Sequence, residues 1–180
     1  MPSISQRVRL AIRNQLASQN AGFNTNFGAA LDNYGVDPHA INWHGIEWTG
    51  NTTNFLYGRV SAAFIDQLSG KLDYPILTID TAAGRHTNEV ISATFSGSVV
   101  AIIELHLGWS SSDVLQDFAS YADAADDAMF ATINNLEAQN YGAGILYNGR
   151  MSFQRGAIEP GGPSWRQTIT FTPEFKVITL

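Results

Sequence analysis

The sequence predicts an α+β domain: a mainly antiparallel sheet of about four to five strands, packed by a long helix and an N-terminal helix. Three observations lead there. Apolar residues recur at helical spacing near the N-terminus and again over Asp113–Ala138. Apolar and polar residues alternate over Glu89–Leu107 and over Trp165–Thr172. The strand segments follow one another instead of alternating with helices, which favours antiparallel pairing. A length of 180 residues suits one domain, burying roughly 70% of the surface of its unfolded chain. No internal repeat or second domain is evident, so 1–180 is read as one unit.

Each element has a local cause. Ser3 and Gln6 stand at the N-cap and N3 spacing of a capping box and open a helix from Ser3 to about Ser18. Its apolar face is Ile4, Val8, Ala11, Ile12 and Leu16, with Arg9 and Arg13 one turn apart at the edge. Gly22 supplies a stop. Residues 20–57 then show no sustained period among their glycines and asparagines, yet hold seven large aromatics: Phe23, Phe27, Tyr34, Trp43, Trp48, Phe55 and Tyr57. This stretch reads as an extended arm or loop that packs on something. Gly58–Leu68 reads as a short helix through Val60, Phe64 and Leu68. Asp73–Asp80 is a strand whose Pro75 sits near the start, where the ladder tolerates it, and Ala82–His86 is a turn.

Glu89–Leu107 carries the strongest strand signal. Ile91, Ala93 and Phe95 share one face, and Val99, Ala101, Ile103, Leu105 and Leu107 continue an apolar face beyond Ser96-Gly97-Ser98. The glycine reads either as a bulge in one long strand or as the turn of a hairpin. Asp113–Ala138 is the clearest helix, with Asp113 and Gln116 at capping spacing. Its stripe is Leu115, Phe118, Ala122, Ala125, Met129, Ile133 and Leu136. Asn148-Gly149 suits a type I′ turn and makes Ile145–Tyr147 and Arg150–Arg155 the arms of a hairpin. Pro160-Gly161-Gly162-Pro163 breaks the chain. In the last strand Trp165, Gln167, Ile169 and Phe171 share a face, and Phe175, Val177 and Thr179 extend it.

Composition narrows the function. Charged residues make up 14% of the chain, against roughly 25% in an average soluble domain. The net charge of −6 argues against a generic nucleic-acid or membrane surface. With no cysteine, thiol catalysis, Cys-ligated zinc and a disulfide scaffold are excluded. Four Trp, six Tyr and ten Phe are core material that a disordered chain lacks. The longest apolar run, Val99–Leu107, is interrupted by Glu104 and His106 and is too short to span a bilayer. The N-terminal residues lack the apolar stretch of a signal peptide, so the chain reads as made inside a cell and Asn51-Thr52-Thr53 as a chance sequon. No nucleophile elbow, phosphate loop or dinucleotide fingerprint occurs, so neither an enzyme activity nor a cofactor is expected.

Several side-chain groups invite a functional reading. Glu104 and His106, two apart on a strand, point to one face and with Asp80 or His86 could ligate a metal. The plainer reading, preferred here, is an exposed face opposite the apolar one. Trp43 and Trp48 flank His44-Gly45-Ile46-Glu47 and suit either a glycan platform or an arm anchored to a neighbouring subunit. The subunit is preferred, because Trp and Tyr give large contact area at low entropic cost. Asp123, Asp126 and Asp127 are read as a solvated, mutually repulsive helix face. Eight of the ten basic residues are Arg, the cation enriched at protein interfaces. The candidate subunit-interface residues are therefore Arg9, Arg13, Phe27, Tyr34, Trp43, Trp48, Phe55, Arg59 and Arg166.

One arrangement carries a resemblance. A capped N-terminal helix precedes a Tyr-Pro-led strand, Tyr74-Pro75-Ile76-Leu77-Thr78-Ile79, and a Phe-x-Gly strand pair, Phe95-Ser96-Gly97-Ser98-Val99, running towards Trp109. A helix with Phe118, Tyr121, Ala122, Ala125 and Ala128 follows, and the chain closes on Trp165-Arg166-Gln167-Thr168-Ile169-Thr170-Phe171. In this order the chain resembles the tail terminator (tail completion) proteins of long-tailed bacteriophages, loosely over Ser3–Ser18 and better from Gly58 to Leu180. Residues 20–57 fall outside the resemblance. It implies a virion protein of the tail or neck, an α+β subunit of a hexameric ring that caps the tail tube and meets the head connector or stopper. No catalytic residue carries over. Neck, stopper or tube subunits are alternatives of the same kind; a glycan-binding module using Trp43, His44 and Trp48 is one of another kind, and a hydrolase using Glu104 and His106 comes last. Much of a ring subunit's surface is covered, which accounts for the low charge. Residues 20–57, with only Asp32, Asp37 and Glu47 charged, are expected to lie between subunits.

Overall fold

The computed structural model describes residues 3–37, 45–48, 54–61, 64, 74–82, 89–91, 94–110, 115–135, 141–142, 144–161 and 164–179. In chain order the elements are α1 (Ile4–Leu16), α2 (Phe23–Tyr34), β1 (Phe55–Tyr57), β2 (Ile76–Thr81), β3 (Glu89–Ile91), β4 (Thr94–Ser110), α3 (Leu115–Ile133), β5 (Ile145–Arg155), β6 (Glu159–Gly161) and β7 (Ser164–Thr179). The strands form one sheet in the order β1-β2-β4-β7-β5. β1 runs parallel to β2, and every other pairing is antiparallel. β2 and β3 follow one another along one side of β4, and β5 and β6 do the same along β7. The expected α+β domain with its mainly antiparallel sheet and long helix is what the chain forms.

The central strands set the core. Val99, Ala101, Ile103, Leu105, Leu107 and Trp109 of β4 alternate into it, beside Ile169, Phe171, Phe175 and Val177 of β7. α1 adds Val8, Ala11, Ile12 and Leu16, and Ser3 caps it as expected, its Oγ accepting from the Gln6 amide at 3.2 Å. Phe118, Ala122, Ala125, Met129 and Ile133 of the α3 stripe are buried. So is a second face of α3, Tyr121, Ala124, Ala128 and Thr132.

That second face is explained by α2, which corrects the reading of residues 20–57 as an arm without elements. Phe23, Phe27, Ala30 and Leu31 recur at helical spacing and are buried. Phe27 stacks on Tyr121 with centroids 5.5 Å apart. Burial of each large side chain contributes roughly 1.5–3 kcal/mol, enough to offset the poor helix propensity of Asn24, Thr25, Asn26 and Gly28. Polar ties reinforce the packing: Asn26 Nδ2 donates to Thr132 Oγ1 at 2.8 Å. Asn24 holds the backbone of Ile46 from both sides, accepting from its N–H and donating to its carbonyl. Gly35 ends the helix at φ +67°, with Val36 N–H bonded back to the Leu31 carbonyl.

One open alternative is settled, in favour of a single long strand, and one turn signal resolves differently from expectation. Ser96-Gly97-Ser98 is no turn, because β4 runs through it, paired with Ile178, Val177 and Lys176; the reversal lies between Ile91 and Thr94. Asn148-Gly149 does not close a hairpin either. β5 continues past it along β7, and the pairing shifts between Tyr147 and Met151, so the dipeptide forms a bulge with Gly149 at φ +79°. Of the Pro-Gly-Gly-Pro segment, Pro160 and Gly161 belong to β6 and pair with Trp165 and Ser164 of β7, while Gly162 and Pro163 lie outside the described residues. The helix expected over Gly58–Leu68 and the turn over Ala82–His86 lie mostly outside the described residues, as do Asp113, Leu136 and the sequon at Asn51.

Candidate functional site

The two outermost strands each gather exposed apolar side chains. At the β1 edge, Leu10 and Tyr57 are 49% and 50% exposed. Arg9 lies 5.9 Å from the Tyr57 ring centroid and 3.6 Å from Asp80, so the aromatic is overlaid by a cation. Arg13 Nη2 donates to the Trp48 carbonyl at 2.8 Å, and the half-buried Trp48 ring packs on Phe55 at 5.2 Å. At the β5 edge, Leu146, Phe153 and Ile158 are exposed. Phe153 leans on Phe130 at 5.3 Å and on Phe171 at 6.1 Å, held firmly with one side to solvent. Four strand spacings separate the edges, roughly 19 Å.

The sheet face away from the apolar core carries polar residues and, around Glu104 and His106, is unexpectedly buried. Glu104 and His106 are 5% and 7% exposed, which corrects the solvated face expected for them. Their cross-strand neighbours Thr78 and Ile76 are fully covered. Arg59 Nε and Nη2 donate to Glu104 Oε1 at 3.0 and 2.9 Å, so the carboxylate keeps a charged partner as burial demands. His106 Nδ1 lies 3.0 Å from Thr168 Oγ1, its cross-strand partner. Burial pushes the imidazole pKa down from its ordinary value, while Glu104 pulls the other way. The Tyr74 ring packs against Gly108, where an added Cβ would come within 2.3 Å of it. Between Tyr74 and the β5–β6 connection opens a cleft of about 240 Å³, lined in part by His106, Glu159, Arg166 and Thr168.

The acidic cluster of α3 is solvated at Asp123 and Asp127, as expected, but Asp126 is buried, and all three are partnered. Arg155 joins two of its members, donating to Asp126 at 2.7 Å and to Asp123 at 2.6 Å. Tyr34 Oη donates to Asp127 at 2.8 Å. Burial raises the Asp126 pKa, opposed by Arg155.

The structure thus sorts the candidate interface residues. Arg9, Arg13, Trp48 and Phe55 meet at the β1 edge, whereas Arg59 and Arg166 line the polar face. Phe27 is core and Phe55 nearly so, and Tyr34 serves the α2–α3 contact. Trp43 and His44 lie outside the described residues. Sequence reasoning missed Tyr57, Leu10 and Phe153 as exposed edge residues, and Tyr74 as a cover. A half-exposed aromatic has the same strand periodicity as a buried one, so only Tyr57 beside Phe55 left a trace. Among the described residues no group of three His, Cys, Asp or Glu side chains is placed to hold a metal ion, and no helix is long and apolar enough to cross a membrane. The sequence matches no family model and no curated protein.

Proposed function

We propose that the protein is a virion structural subunit of the tail terminator kind, closing into a ring that caps a tail tube and joins it to the head connector. The observation that carries this reading is the pair of unlike apolar edges on opposite ends of one sheet. A cyclic ring needs two different surfaces on each subunit, each meeting its counterpart on the next copy. Leu10, Tyr57 and Arg9 supply one such surface, and Phe153, with Ile158 of the β5–β6 connection, the other; Leu146 pairs with Lys176 on the opposite sheet face. The bulge at Asn148-Gly149 interrupts the β5 edge and discourages open-ended strand addition, leaving side chains to form the contact. The ring size, six, rests on the resemblance in element order.

Size-exclusion chromatography with light scattering and electron microscopy test this reading. A closed ring is expected, alone or on a tail tube. Phe153→Asp and Tyr57→Asp should each weaken assembly at least about tenfold while the circular dichroism of the subunit is unchanged. A chain that stays monomeric at high concentration and also on a tail tube overturns the proposal.

A further inference from the structure

The bulge of β5 carries a chemistry that its structural role does not need. Asn148 is the one asparagine of the chain that is followed by glycine. Asn148, Gly149 and Arg150 are exposed, and they lie where the β5–β7 register shifts, between Tyr147↔Phe175 and Met151↔Pro173. Asn148 Oδ1 accepts from the Arg150 N–H at 2.9 Å, a turn that folds the side-chain carbonyl back along its own main chain. Asn148 Cγ and the Gly149 nitrogen are separated only by Cβ, Cα and the main-chain carbonyl carbon, so joining them closes a five-membered ring. Gly149 leaves that nitrogen open. A Cβ built there would meet nothing within 4 Å, and glycine lacks the side chain that would shield the attack.

We propose that Asn148-Gly149 is a self-modification site, at which the folded chain converts Asn148 to aspartate and isoaspartate through a succinimide. Hydroxide takes the Gly149 amide proton, and the nitrogen attacks Asn148 Cγ. A C–N bond forms and negative charge moves onto Oδ1, where the Arg150 N–H already donates and stabilises it. The Cγ–Nδ2 bond then breaks, and Nδ2 leaves as ammonia with a proton from water, which regenerates the hydroxide. Water next opens the imide at either carbonyl. Cleavage at Cγ leaves aspartate; cleavage at the main-chain carbonyl leaves isoaspartate, whose main chain runs through the former side chain. The net reaction consumes water and releases ammonia, and it needs no oxidant, metal or second protein. The product makes the net charge of −6 one unit more negative and places a carboxylate on an edge strand beside Arg150. The ladder is already out of register here, so the added main-chain atom of isoaspartate breaks no pairing on either side. The conversion does not depend on ring formation, and failure of either reading leaves the other standing.

The test is peptide mapping by mass spectrometry after the full chain is kept folded in mildly alkaline buffer, with a urea-unfolded sample as reference. Conversion is expected at Asn148 ahead of every other asparagine, at a rate proportional to hydroxide and with both acidic products formed. Asn148→Gln should stop it on the same timescale, since the longer side chain must close a larger ring. Arg150→Pro deletes the N–H donor and should slow conversion about three- to tenfold, whereas Arg150→Ala keeps the N–H and should match the parent chain. Circular dichroism checks that both variants fold; the parent chain alone decides the main claim. Conversion in urea but not in the folded chain overturns the proposal. So does aspartate as the sole product, which marks direct hydrolysis, or a rate indifferent to hydroxide. Equal rates in folded Arg150→Pro and Arg150→Ala overturn the role given to the Arg150 N–H.

Discussion

Each face of β4 buries residues almost completely, by opposite means, the apolar face along its length and the polar face only at Glu104 and His106. On one, Val99 to Trp109 present only apolar side chains to a core shared with three helices. On the other, Glu104 and His106 are almost as inaccessible, but each is kept there by a named partner, Arg59 or Thr168. Apolar burial asks only for shape and volume. Polar burial asks for a particular atom at a particular place, or it costs stability. Alternation along a strand therefore reports which side a residue is on, not whether that side is wet.

Substitutions on the two faces separate these mechanisms. The largest loss is expected on the apolar face: Phe171→Ala should cost about 3–5 kcal/mol in urea unfolding. A cost below about 1 kcal/mol would mean the core tolerates cavities the packing does not suggest. Arg59→Ala comes next, because it strands the Glu104 carboxylate. The Arg59 side chain is 60% exposed, so solvent screening reduces the expected cost to about 1–2 kcal/mol. Adding Glu104→Gln should recover part of that; no recovery would show that Arg59 acts by packing alone.

The pH dependence is smaller. Burial holds His106 below its ordinary pKa of 6.5, so as pH falls the unfolded chain takes up the proton first. Its contribution to stability is full above that value and declines as pH drops below it. His106→Asn should flatten that slope relative to the parent chain, the other three histidines cancelling in the comparison. An unchanged slope would place the imidazole in a wetter setting.

Legibility in the sequence followed the same divide. α3 was readable because its stripe and its alanines agree, propensity and pattern pointing one way. α2 was not, although Phe23, Phe27, Ala30 and Leu31 fall at helical spacing, because Gly28 and the surrounding Asn and Thr residues argue locally against a helix. Its cause is Tyr121 and Thr132, about a hundred residues away. Asn148-Gly149 failed in the same manner: the dipeptide favours a hairpin locally, yet β7 offers partners on both sides of it and the ladder runs on. The low charge of residues 20–37 now has a cause within the chain, since α2 is part of the core.

By itself the sequence determined the sidedness of each strand, the capped first helix, the long third helix and the antiparallel α+β class, because these follow from local periods that the backbone geometry enforces. Tertiary structure decided the existence of α2, the bulge in β5, the burial of Glu104 and His106, and the exposure of Tyr57 and Phe153. Each of those depends on which distant group arrives to cover a surface, and no local spacing encodes that arrival.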